Sequence, residues 1–178
     1  MKQKKVFLTC GPSGSGKTTW IKNQMEDMKY PAAHISRDEI RFSKLKDGED
    51  YFAHEDEVFE EFCKKAQEAI DGEPLVIFID ATHLSEKARN KTLDKLNLEN
   101  VELFAVNFNL PVDVCLTQNE QRTCNSTKAS LISMIPHINR NIFLSLFQCG
   151  IELIPFNEDV IVIINTQNSA LIGITETV

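Results

Sequence analysis

Gly11-Pro12-Ser13-Gly14-Ser15-Gly16-Lys17-Thr18 fits G-x-x-x-x-G-K-[ST] at every fixed position. The chemistry such a run supports is the holding of a polyphosphate. Glycines let the backbone curl until successive N–H groups face the anion at a helix N-terminus, where the dipole favours negative charge. Lys17 can reach the β/γ-phosphates, the Thr18 hydroxyl can ligate Mg²⁺, and Thr19 extends the cradle into the helix. A nucleoside triphosphate is the expected ligand.

Other residues have the type and placement for chemistry on that ligand. Asp80 ends the apolar run Leu75-Val76-Ile77-Phe78-Ile79, which should lie beside the strand feeding the phosphate loop. A carboxylate there is placed to hold Mg²⁺ or its water shell, or else to cap the next turn. Thr82 and His83 follow at what should be the carboxyl edge of the sheet, where open α/β folds bind ligands. No chemical role falls to His83. Asp38 and Arg41 are three apart on the helix that Ser36 should cap, and so share a face. Asp38 there can accept a hydroxyl proton, and Arg41 can grip a substrate phosphate. The same spacing also fits a solvated ion pair of little consequence. Arg122 and Lys128 sit in a polar stretch without apolar periodicity, and Arg140 in the segment beyond. Each is either a cation that closes on a transferring phosphoryl group or a solvated loop charge.

Positioning these residues takes alternating strands and helices, the pattern of a parallel sheet covered on both faces. Strands are expected at Lys5–Cys10, Ala32–Ile35, Leu75–Asp80, Val101–Phe108 and Val160–Ile164. Helices are expected after the phosphate loop, from Ser36 with Glu39 completing a capping box, and over Asp50–Asp71 with Gly72 as its stop. Two more should cover Ser85–Leu96 and Pro111 to about Gln121, and a further helical pattern from Leu131 to Phe147 is broken at Pro136.

The 178 residues are expected to form one domain, with 42% hydrophobic and 25% charged residues as in globular proteins. The net charge of -7 argues against broad coating of nucleic acid but leaves room for a local basic groove. Neither a signal-peptide core nor a run of membrane-spanning length is present, so no membrane role and a cytoplasmic location are expected. The five cysteines show no metal-like spacing; Cys10 and Cys115 should be buried and Cys124 exposed.

Taken together, four segments resemble the 5′-hydroxyl polynucleotide kinases, the P-loop kinases of phage and bacterial nucleic-acid repair. They are Gly11 to Trp20, Ile35 to Arg41 (ISRDEIR), Ile79 to Leu84 (IDATHL) and Phe108 to Arg122 (FNLPVDVCLTQNEQR). The resemblance implies a P-loop NTPase fold of the nucleoside-kinase kind. That is a three-layer sandwich with a five-stranded parallel sheet of order 2-3-1-4-5 and a helical lid over about residues 119–148. It implies ATP and Mg²⁺ as cofactors, Lys17 on the γ-phosphate and Thr18 with Asp80 at the metal. Asp38 would be the general base, Arg41 would contact a substrate phosphate, and Arg122 would clamp the transition state. Asp80 and Thr82 would line the acceptor side. The acceptor would be the 5′-hydroxyl end of RNA or DNA, with any phosphatase or ligase a separate chain and a homo-oligomer compatible with the pattern. Two departures stand out: Gln118-Asn119 where relatives commonly have Arg-Asn, and an arginine-poor stretch after Arg122. A kinase of a small metabolite and a catalytically inactive nucleotide-binding relative stay open as alternatives.

Overall fold

The computed structural model describes residues 3–108, 110–120, 155–156 and 161–165. Strands β1 (Lys4–Cys10), β2 (Ala32–Ser36), β3 (Val76–Asp80) and β4 (Val101–Phe108) are parallel and lie in the order β2-β3-β1-β4. Every crossover between them carries helix: α1 (Lys17–Glu26), α2 (Arg37–Lys44) with α3 (Glu55–Asp71), and α4 (Glu86–Leu93). A further helix, α5 (Val112–Glu120), follows β4. The α/β class is that expected from the alternating pattern, and the order of the four parallel strands is the one the family resemblance implies.

Beyond β4 the sheet differs from the expected one. Ile161–Asn165 pairs with β4 as anticipated for the last strand, but antiparallel, with Ala105 opposite Ile164. A two-residue strand, Pro155–Phe156 (β5), pairs in turn with Ile161–Asn165 (β6), making the sheet six-stranded in the order β2-β3-β1-β4-β6-β5. A continuous apolar run specifies burial but carries no direction, and an antiparallel edge on a parallel sheet is common. The first two residues of the expected lid, Asn119 and Glu120, end α5, and the rest of it, with Cys124, falls outside the described residues.

Alternation along the strands sorts their side chains onto two faces. Val6, Leu8, Ile77, Ile79 and Leu103 face one way and pack with Val58, Phe59, Phe62, Ala66 and Ile70 of α3 into the main core. On the other face Phe7, opposite both Phe78 and Phe104 in the register, stacks on each, with ring centroids 5.3 and 4.8 Å apart. Trp20 of α1 covers this face, its ring edge-on to Phe78 and Phe108. Cys10 and Cys115 are buried as expected, and burial pushes the Cys10 thiol up to about 11, so it stays protonated. No helix among the described residues is long and apolar enough to cross a membrane.

Candidate active site

All four parallel strands deliver a chemistry-bearing segment to their carboxyl edge. Cys10 leads into the phosphate loop, Ser36 into α2, Asp80 into Thr82, and Phe108 into α5. Chain direction alone therefore gathers residues that lie far apart in sequence.

The loop has the curl a phosphate cradle needs. Gly14 and Gly16 adopt left-handed φ values of 84° and 86°, which glycine reaches without steric cost. Helix α1 begins at once, with Trp20 N–H donating to the Gly16 carbonyl at 2.9 Å. A methyl group placed on Gly16 would meet nothing within 4 Å, so open space lies beside the loop there. Buried Lys17 folds over the loop, its Nζ donating to the carbonyls of Gly11 at 3.0 Å and Pro12 at 2.6 Å. Two outside contacts brace the loop. Gly11 N–H donates to the Thr82 carbonyl at 2.8 Å, and the Ser13 hydroxyl reaches Asn119 of α5 at 3.4 Å. Asn119 is thus a buried brace, while Gln118 beside it is exposed.

Asp80 sits under the loop, 4% exposed. The Thr18 hydroxyl donates to its Oδ2 at 2.7 Å and the Thr9 hydroxyl reaches Oδ1 at 3.2 Å, while His34 Nε2 lies 3.1 Å from Oδ2. Burial works against the charged carboxylate. The His34 contact, the Lys17 ammonium and the Thr18 hydroxyl outweigh it and hold Asp80 below the ordinary carboxylate range. A hydroxyl and an ionised carboxylate side by side, next to open space for phosphate oxygens, form a donor set suited to Mg²⁺, which binds through one or two carboxylates plus substrate oxygens. The residues present therefore fit the ion. The sequence reading missed His34. The signal for it was the pleat: His34 is opposite Phe78, so it shares a face with Asp80 two residues on.

Ser36 caps α2 as expected, its Oγ accepting from Glu39 N–H at 3.3 Å. Asp38 and Arg41 then meet, Arg41 Nη1 donating to Asp38 Oδ1. Only one partner of the pair is solvated, since Arg41 is 5% exposed while the Asp38 side chain stands half in water. Its guanidinium also donates to Glu55 Oε2 at 2.7 Å and to the Tyr51 hydroxyl at 3.0 Å, and lies 4.5 Å from the centroid of the Tyr51 ring. Tyr51 in turn donates to Asp38 Oδ1 at 2.8 Å. Glu55 binds a second guanidinium through its other oxygen, accepting from Arg37 Nη2. Burial lowers the Arg41 pKa, but Glu55, Tyr51 and Asp38 raise it further than burial lowers it, so the guanidinium is firmly charged. Among the described residues the buried Nε atoms of Arg37 and Arg41 have no hydrogen-bond partner. Unmade buried donors cost about 1–3 kcal/mol each, which an anion's oxygens would recover. Arg37, Tyr51 and Glu55 were not singled out in the sequence.

Two cavities meet here. One, about 20 Å³, is lined by Lys17, Thr18, Ser36 and Asp80. The other, about 110 Å³, is lined by Arg37, Arg41, Tyr51, Phe52 and Glu55. Ser13, Asp38, Ala81 and Thr82 line both. The structure thus brings together the phosphate loop, Asp38, Arg41, Asp80 and Thr82. Arg122, Lys128 and Arg140 lie outside the described residues. His83 is buried away from both cavities, its ring bonded to the Thr9 carbonyl at 2.9 Å and the Thr92 hydroxyl at 3.1 Å.

Residues 6–135 match the model of a family described as an AAA domain. No curated protein matches the sequence. Among solved structures, the chain is similar to one in the Pnkp1/Rnl/Hen1 RNA repair complex, with a TM-score of 0.67 and 16% identity, over 81% of this chain and 47% of that one. A second structure of the Pnkp1/Rnl/Hen1 complex gives a TM-score of 0.57 and 20% identity, over 72% of this chain and 43% of the other. The chain therefore spans less than half the length of these two matched chains. A gluconokinase from Sinorhizobium meliloti 1021 is similar with a TM-score of 0.51 and 16% identity, over 78% of this chain and 77% of that one. At such identities the likeness is one of fold, that of P-loop kinases.

Proposed function

The chain belongs to the AAA-domain family, on a P-loop kinase-like scaffold, and from that premise we propose that it is an ATP-dependent polynucleotide 5′-hydroxyl kinase. The observation that carries the reading is the placement of Asp38, which lines both the phosphate-loop cavity and the pocket holding Arg37 and Arg41. A carboxylate at such a junction can take the proton of an acceptor hydroxyl as the γ-phosphoryl group leaves ATP.

The remaining roles follow from position. Lys17, now folded onto the Gly11 and Pro12 carbonyls, exchanges them for γ-phosphate oxygens. Thr18 and Asp80 would hold Mg²⁺, which when bound would offset charge on the β- and γ-phosphates. Arg41, with Arg37, receives a phosphate of the acceptor, the Nε of each being a donor left unmade. Tyr51 and Glu55 orient both partners of the Asp38–Arg41 pair. Arg122 is the proposed clamp on the transition state. Catalysis is then positioning and charge neutralisation rather than covalent chemistry.

A kinase of a small hydroxylated metabolite is the second reading, favoured by the modest volume of the acceptor pocket, about 110 Å³. The exposure of Asp38, 48% at its side chain, favours the first, since a trailing strand needs an open mouth. The test is transfer of γ-³²P from ATP/Mg²⁺ to 5′-hydroxyl RNA and DNA oligonucleotides by wild type, Lys17→Ala and Asp38→Asn. Wild type should label a free 5′ end. Lys17→Ala should lose transfer through weakened phosphate binding, and Asp38→Asn should lose it with ATP affinity intact. Labelling of small polyols instead of oligonucleotides would give the site to the second reading, and undiminished transfer by Asp38→Asn would end its role as base.

A further inference from the structure

Among the described residues the exposed large hydrophobic side chains are Tyr30, Phe42 and Phe52. Two of them belong to one cluster beside the acceptor pocket. Phe52 is 47% exposed and Phe42 40% exposed, and both pack edge-on against Tyr51, with centroids 4.8 and 6.0 Å away. Phe52 and Tyr51 also line the pocket of Asp38 and Arg41.

The rings are held in place. Tyr51 is tied through its hydroxyl to Asp38 and Arg41, and its ring lies against the Arg41 guanidinium. The Phe52 backbone N–H donates to Asp50 Oδ1 at 2.8 Å, and Arg41 stands 5.7 Å from the centroid of its ring. A wet aromatic surface anchored this firmly is no fraying loop tip, and its core packing does not account for it, because so much of Phe52 faces water. Meanwhile the pocket it borders, about 110 Å³, is well below the roughly 300–1,000 Å³ of sites that engulf a whole small ligand. Only the reacting end of an acceptor fits inside. Phe52 is the exposed aromatic side chain in the lining of that pocket.

We propose that Phe52, backed by Tyr51 and Phe42, is a stacking platform for the base at the 5′ end of the acceptor strand. The proposal deepens the kinase reading of the same site and rests on it for the identity of the acceptor. Stacking on an aromatic face is tolerant of base identity, since every base presents a π-face. The site would then recognise a strand end rather than a sequence: Asp38 at the hydroxyl, the arginines at the phosphate, Phe52 at the base.

The experiment measures binding without ATP, by fluorescence anisotropy, of labelled oligonucleotides with either a normal or an abasic residue at the 5′ end. Wild type, Phe52→Ala and Phe52→Trp are compared. Wild type should bind the base-bearing end about tenfold more tightly, the scale of one base stacked on an aromatic side chain. Phe52→Ala should bring the ratio near one by weakening the base-bearing end alone, and Phe52→Trp should restore it. A wild-type ratio of one, or equal weakening of both ends by Phe52→Ala, overturns the platform even if phosphate transfer is robust. A base preference lost in Phe52→Ala upholds it even if transfer fails and the kinase reading falls. Absence of oligonucleotide binding overturns both.

Discussion

His83 joins β1 to α4 with a ring that stays neutral. Its Nδ1 donates to the Thr9 carbonyl at 2.9 Å while Nε2 meets the Thr92 hydroxyl at 3.1 Å, and its backbone is left-handed, with φ 42°. Burial, with the positive charges of Arg37 and Arg89, pushes the imidazole down to about 4, although the Thr9 bond pulls upward. Because the folded value lies below the ordinary 6.5, the unfolded chain takes up the proton first as pH falls. The stabilisation is complete above about pH 6.5 and lost progressively toward pH 4, by about 3 kcal/mol over the window. Asp80, also lowered, loses its contribution only below its ordinary 3.8, so the windows are separate. His83→Asn keeps a side-chain donor for Thr9, suits the left-handed backbone and cannot titrate. Urea unfolding between pH 4.5 and 7 should show a flatter acid slope in the variant. Parallel slopes in variant and wild type would mean that His83 takes up protons in the folded state.

At the scale of elements, the phosphate loop is held from outside by α5, and its two inner glycines answer to different demands. A methyl group on Gly14 would lie 2.3 Å from the Cys115 carbonyl oxygen, a backbone atom of α5. One on Gly16 would meet nothing within 4 Å. Both positions carry the left-handed penalty of about 1–2 kcal/mol for a residue with a Cβ. Gly14→Ala must also displace α5 from the loop, so it should lower the melting temperature well beyond Gly16→Ala. Gly16→Ala should instead weaken ATP binding, since its methyl group would enter open space beside the loop proposed to cradle the phosphates. Thermal melts and nucleotide titration of the two variants check this, and normal ATP affinity in Gly16→Ala would remove the phosphates from that space. The loop was legible because strand, glycines, lysine and helix are contiguous. The bracing of the Asp38–Arg41 pair was not. The apolar spacing predicted a helix from Asp50, but α3 starts at Glu55, and Asp50 accepts the Phe52 N–H across the preceding turn. That turn, rather than a helical face, sets Tyr51 on Arg41, and Glu55 reaches α2 only once the helices have packed.

Over the whole molecule, the parallel direction of the first three strands was readable because each ends in a segment that chemistry pins to one sheet edge: glycines after β1, Asp38 after β2, Asp80 at β3; the order of the four strands came from the family resemblance. The strand beside β4 has no such marker, so its antiparallel direction was not readable from Val160–Ile164 alone. Charge adds a constraint that belongs to no single element. The chain carries a net charge of -7, and the cations lining the acceptor pocket, Arg37 and Arg41, are already shared with Glu55 and Asp38. A strand engaging this site would release few counterions. With roughly one or two phosphates neutralised, log K against log salt should fall with a slope of about -1 for a single strand. Most of the affinity would then come from Asp38, the arginines and the aromatic surface at the very end of the strand, so lengthening the oligonucleotide beyond a few residues should add little. Anisotropy titrations of single-stranded oligonucleotides of increasing length, at several salt concentrations, test both points. A slope several times steeper, growing with strand length, would show that the strand runs along a cationic path beyond Arg37 and Arg41, and that the protein holds the body of a bound strand as well as its end.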